Sequence, residues 1–133
     1  MTVQQKIDTF LKGHPHAVVG ASRDRAKYGN KVLRSFQQNG MKVFPVNPSV
    51  QEVEGLTSYA SLSDLPELVY GISIITPPKI TESIVEVAGE LGIRNVWMQP
   101  GAESQHAVQR ATEFGMNVIY GGPCLLVVIG HPD

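Results

Sequence analysis

The residues best placed to do chemistry fall in one run, Gly20-Ala21-Ser22-Arg23-Asp24-Arg25-Ala26-Lys27-Tyr28-Gly29-Asn30. Ala17-Val18-Val19 lead into it as an apolar strand, and a helix running to about Asn39 leads out. A strand that stops at glycine and feeds a helix is suited to holding phosphate. The first-turn N–H groups have no partner within the helix, and the macrodipole adds partial positive charge there. Ser22 can donate a hydroxyl hydrogen bond to a phosphate oxygen, and Arg23 can fork two bonds to one. Arg25 and Lys27 either do the same or face solvent. Tyr28 either stacks on a base or packs on the sheet edge. Taken alone, the stretch is equally compatible with an ordinary strand–helix turn carrying solvated charges.

The elements that must position this loop follow from hydrophobic periodicity. Val3, Ile7, Phe10 and Leu11 sit at helical spacing and predict a short lead-in helix. Apolar runs predict strands over residues 16–20, 41–46, 71–76, 93–98 and 117–120. Helices are expected from Asn30 to Asn39, from Thr81 (as N-cap) to Leu91, and from Glu103 to Phe114. Residues 51–58 read as a loop turning at Gly55, and residues 59–66 as a short strand or turn before a brief helix. Strands alternating with helices specify an α/β, Rossmann-like, doubly wound domain. Its mainly parallel sheet has five or six strands, with helices on both faces. No composition shift marks a linker, so residues 1–133 are expected to form one domain.

Ligands of such sheets bind outside the carboxyl ends of the strands. Five loops fall there: Gly20-Ala21-Ser22-Arg23, Asn47-Pro48-Ser49, Thr76-Pro77-Pro78, Met98-Gln99-Pro100-Gly101 and Gly121-Gly122-Pro123-Cys124. All carry glycine, proline or small polar residues that let a ligand approach the backbone. The dinucleotide fingerprint G-x-G-x-x-G is absent, and Asn47 stands where an acid would bond a ribose hydroxyl. Nor is there a Walker A loop, because Gly29 is followed by Asn30-Lys31. A nucleotide or pyrophosphate held by small-residue loops and local cations remains.

Charge and cysteine content narrow the class further. Eleven Lys and Arg against twelve Asp and Glu give a net charge of −1, which disfavours a dedicated nucleic-acid binder. No run is long enough to span a bilayer, and a lone cysteine fits a reducing compartment, so the cytoplasm is the expected location. His14, His16, His106 and His131 show no metal-ligand spacing among themselves or with Cys124. Cys124 is either a small core filler or a thiol at the ligand edge. The apolar run Leu125-Leu126-Val127-Val128-Ile129 predicts a further strand, a segment packed beneath the sheet, or a contact between copies. Trp97 is read as a core residue.

The segments Val18-Val19-Gly20-Ala21-Ser22-Arg23, Val46-Asn47-Pro48, Thr76-Pro77-Pro78, Trp97-Met98-Gln99-Pro100-Gly101 and Gly121-Gly122-Pro123-Cys124, in this order and spacing, resemble the CoA-binding domain. That domain opens the alpha subunit of succinyl-CoA synthetase and also occurs as small stand-alone proteins. The likeness extends from His16 to about Gly130. It implies coenzyme A, free or acylated, lying across the carboxyl edge. By it, the phosphates sit at Gly20-Ala21-Ser22-Arg23 and the nucleotide end near Asn47-Pro48-Ser49. Thr76-Pro77-Pro78 and Met98-Gln99-Pro100 then line the rest of the path. The synthetase subunit carries a second domain with a phosphorylated histidine, and none of the four histidines here lies in a matching segment. The expectation is therefore a non-catalytic module for CoA or acyl-CoA with no metal. The alternatives are a small NAD(P)-dependent oxidoreductase, or another nucleotide-binding enzyme, and loops that dock a protein partner.

Overall fold

The computed structural model describes residues 1–133. Helix α1 (Val3–Leu11) opens the chain with a reciprocal capping box between Thr2 and Gln5. Strands β1 (His16–Val19), β2 (Val43–Val46), β5 (Gly71–Ile74), β6 (Asn95–Met98) and β7 (Asn117–Ile119) form a five-stranded parallel sheet. β3 (Glu52–Val53) and β4 (Leu56–Thr57) make a separate antiparallel hairpin. The helices are α2 (Tyr28–Gln38), α3 (Pro78–Leu91), α4 (Gln105–Glu113) and α5 (Leu125–Ile129), with a 3-10 turn at Leu62–Asp64.

Alternation along each strand divides the core in two. Ala17, Val19, Ile72, Ile74, Val96, Met98 and Val118 face α3 and α4, meeting Val85, Ala88, Ala107 and Ala111. Val18, Trp97 and Ile119 face the other way, onto Phe10 of α1, Val32, Leu33 and Phe36 of α2, and Leu125 and Leu126 of α5. Both sheet faces are covered, as the near-continuous apolar strands require. Trp97 is fully buried, and its Nε1 donates to the Pro123 carbonyl at 3.0 Å.

The strand order is β2-β1-β5-β6-β7. The chain moves outward from β1 to β2, then crosses back to place β5 on β1's other side. Helix α2, which follows β1, packs on one face, and α3, which follows β5, packs on the opposite one. The two connections diverge at the β1/β5 boundary and leave a crevice at the carboxyl edge.

Three expectations need correction. Thr81 does not cap α3, because Pro77 is the N-cap and Pro78 starts the helix. A proline in the first turn loses no intrahelical bond and has a suitable φ, so the residues that end β5 also begin α3. Thr81 is buried instead, its hydroxyl 2.8 Å from that of Thr76. Residues 51–58 are not only loop but contain the β3–β4 hairpin, turning at Glu54 and Gly55. The apolar run after Cys124 is not a further strand but a helix packed against the sheet through the buried Leu125 and Leu126, while Val127 stays 76% exposed.

Candidate functional site

β1 ends at Gly20, whose φ of +99° favours glycine. A Cβ there would also collide with the Ile75 carbonyl oxygen just past β5. Gly29 is needed for a different reason, since a Cβ on it would strike the carbonyl oxygen of Gly20. Two glycines thus bring the ends of β1 and β5 and the first turn of α2 together at backbone distance.

Asp24 shapes the loop between them. Its N–H donates to Ser22 Oγ at 3.0 Å, its Oδ1 accepts the Ala26 N–H at 2.9 Å, and its carbonyl accepts the Lys27 N–H at 3.0 Å. This leaves the N–H groups of Ala21, Ser22 and Arg23 without an acceptor in the protein. Those of Tyr28, Gly29 and Asn30, in the first turn of α2, are equally free. Six backbone donors clustered at a helix N-terminus form a site electrostatically suited to an anion.

A cavity of about 620 Å³ opens against this loop, within the range of small-molecule sites. Of the sequence candidates, Gly20, Ala21, Ser22, Lys27, Tyr28, Asn47, Pro48, Thr76 and Pro77 border it. Arg23 lies in the loop beside the cavity but does not line it, exposed and without an ion pair. Ser49 and Pro78 are exposed just beyond the rim. Asn47 ties two loops together, donating to the Ala21 carbonyl at 2.8 Å and accepting the Ser49 N–H at 2.8 Å.

Arg25 is engaged elsewhere, forking onto both carboxylate oxygens of Glu54 at 2.7 and 3.2 Å. That hydrogen-bonded pairing, helped by a bond from Asn30, holds the Glu54 carboxyl down at about 2. Met98, Gln99 and Pro100 do not reach the cavity either. Met98 and Gln99 are fully buried. Gln99 Oε1 accepts the Tyr28 hydroxyl at 3.1 Å and the Leu125 N–H at 3.0 Å, so it braces α2 against α5. Tyr28 borders the cavity, and its hydroxyl is bonded within the protein to Gln99 and Cys124. Burial, and then the contact with the Cys124 thiol, push that hydroxyl's pKa up and keep it protonated.

The cavity also has walls that no polar motif announced. Ile75 extends β5, Ala60 and Ser61 precede the 3-10 turn, and Ile80 and Ile84 project from one face of α3. Ile84 carries the helix's apolar periodicity, which in sequence cannot be told from core. In the sequence Gly29 is legible only as a glycine that Asn30-Lys31 follows in place of a Walker A Lys-Ser or Lys-Thr. In space it allows the close helix–strand approach that the dinucleotide fingerprint's last glycine provides.

Strand order and switch-point crevice together define a doubly wound α/β ligand-binding domain. Residues 15–130 match the family model of the CoA binding domain, and the chain belongs to that family. Its sequence is 29% identical over 138 residues to the alpha subunit of an ADP-forming acetate–CoA ligase II from Pyrococcus furiosus. The alignment takes in 96% of this chain but 30% of that subunit, so the chain spans under a third of that relative's length. Among solved structures, a conserved hypothetical protein from Pyrococcus furiosus superposes with a TM-score of 0.82 at 38% identity. That match covers 87% of this chain and 99% of the other. The dinucleotide-forming acetyl-coenzyme A synthetase 1 of Ca. Korarchaeum cryptofilum matches at a TM-score of 0.68 and 33% identity, over 77% of this chain and 25% of its own. No helix is long and apolar enough to cross a membrane.

Proposed function

We propose that this chain is a single-domain module that binds coenzyme A or acyl-CoA without transforming it, with the ligand's phosphates on the Gly20–Arg23 loop. The observation that carries this reading is the cluster of unpartnered N–H groups at Ala21, Ser22, Arg23 and the start of α2, beside a cavity at the sheet's switch point. A pyrophosphate needs backbone donors and cations, and Lys27 on the cavity wall and Arg23 nearby supply the charge. Lys27 and the neutral Tyr28 are the cavity's titratable side chains, a poor set for acid–base chemistry. Asn47 already has both amide atoms bonded to backbone, which gives no support to a ribose clamp for NAD(P). Isothermal titration with CoA and, separately, with NADH tests the proposal. One-site binding of CoA and none of NADH is expected. No heat with millimolar CoA, from protein shown folded by circular dichroism, would sink it.

A further inference from the structure

Asn30 is fully buried in the second position after Tyr28 on α2, and every polar atom of its side chain is committed. Its Nδ2 donates to the Ser22 carbonyl at 2.8 Å and to Glu54 Oε2 at 2.9 Å, while its Oδ1 accepts Arg34 Nε at 2.7 Å. A donor on the oxygen side and a carboxylate on the nitrogen side leave the amide one orientation. Arg34 is itself anchored through Nη1 to the Asp133 carbonyl at 2.9 Å, and Glu54 by the Arg25 fork. A relay from the hairpin tip through α2 therefore ends on one atom of the loop, the Ser22 carbonyl oxygen.

That atom controls a donor. The Ser22–Arg23 peptide is planar and trans, so its C=O and the Arg23 N–H point in opposite directions. Drawing the carbonyl in towards α2 turns the Arg23 N–H outward, where it has no protein acceptor. We infer that Asn30, clamped between Glu54 and Arg34, is a positioning residue that presents the Arg23 N–H to a phosphate oxygen. The inference rests on reading the Gly20–Arg23 loop as the phosphate site. It assigns the hairpin a part in ligand binding although Glu54 lies off the cavity wall.

The test is an exchange of hydrogen-bond polarity, Asn30→Asp with Glu54→Gln. Net charge is unchanged. The carboxylate introduced on α2 still accepts from Arg34, and the amide introduced at the hairpin tip can donate to that carboxylate. The donor to the Ser22 carbonyl is lost together with one acceptor of the Arg25 fork, and Glu54→Gln alone shares the second loss and controls for it. The expected result is a melting temperature near that of the parent with affinity for CoA reduced at least tenfold. Glu54→Gln alone keeps an acceptor for Asn30 and should reduce affinity less than threefold. In the unmodified protein, the Arg23 amide proton should move downfield on titration with inorganic pyrophosphate, and in the exchange variant it should not. Parental affinity in the exchange variant, or an Arg23 amide in the unmodified protein unmoved by both pyrophosphate and CoA, overturns the inference. An Arg23 response to pyrophosphate but not to CoA supports the positioning role and removes the CoA reading.

Discussion

The carboxyl ends of β1, β2 and β5 border a cavity of about 620 Å³, whereas the loops after β6 and β7 lie outside it. The residue types are alike in both places, with glycine, proline and small polar side chains. At the first, the chain leaves β1 for one face and β5 for the other, and nothing crosses the gap. At the second, α5 folds back after β7, Trp97 bonds Pro123, and Gln99 joins Tyr28 to Leu125. A loop at the carboxyl edge is thus necessary for a site but not sufficient. The direction in which the next element departs decides whether space remains.

The sharpest way to break the open half is steric. Gly29→Val sets a side chain against the Gly20 carbonyl, and should cost about 3 kcal/mol of stability in a urea titration, as overpacking and backbone displacement combine. In the closed half, Gln99→Leu leaves the Leu125 N–H and the Tyr28 hydroxyl without their acceptor. That change should destabilise by about 1–3 kcal/mol while CoA affinity stays within twofold. Arg23→Ala or Ser22→Leu should do the reverse, weakening CoA binding by about 1–3 kcal/mol with little effect on unfolding. If Gln99→Leu weakened binding as much as Arg23→Ala, the division between the halves would be wrong.

Smaller effects refine the picture. His16 lies at the amino end of β1, stacked 5.0 Å from Phe36 and tilted 4.7 Å from Phe10. Burial lowers its pKa from 6.5 to about 4, with the charge on His14 adding to the effect and a bond to the Gly13 carbonyl opposing it. The unfolded chain binds the extra proton in that window. Stability should therefore be complete above about pH 6.5 and fall by up to about 1.4 kcal/mol per pH unit towards pH 4. His16→Phe should flatten that slope and leave CoA binding unchanged, since the residue is on the edge opposite the cavity. Arg25→Ala should shift the urea midpoint least, because the guanidinium is largely exposed on its Glu54 partner.

Local signals carried much of the fold. β-branched runs marked the five parallel strands, and positive-φ glycines at Gly92 and Gly115 ended helices where expected. The β3–β4 hairpin escaped notice because two-residue strands have no readable alternation. Proline after β5 read as a stop, although the same residue type is equally at home in a helix's first turn. At the site, small-residue loops revealed Gly20, Ala21, Ser22, Asn47 and Thr76, yet the partners that occupy Arg25 and Gln99 are 29 and 26 residues away in sequence. Such pairings depend on packing rather than on spacing. The same holds for Asn30, whose three partners come from the loop, the hairpin and its own helix.

Chemical-shift mapping of the backbone amides during a CoA titration reaches the central claim most directly. Gly20 to Arg23, Tyr28 to Asn30, Asn47 and Thr76 should move and saturate together, while Gly101, Gly121 and Gly122 stay in place. Movement concentrated at the loops after β6 and β7, with Gly20 to Arg23 unmoved, would contradict it.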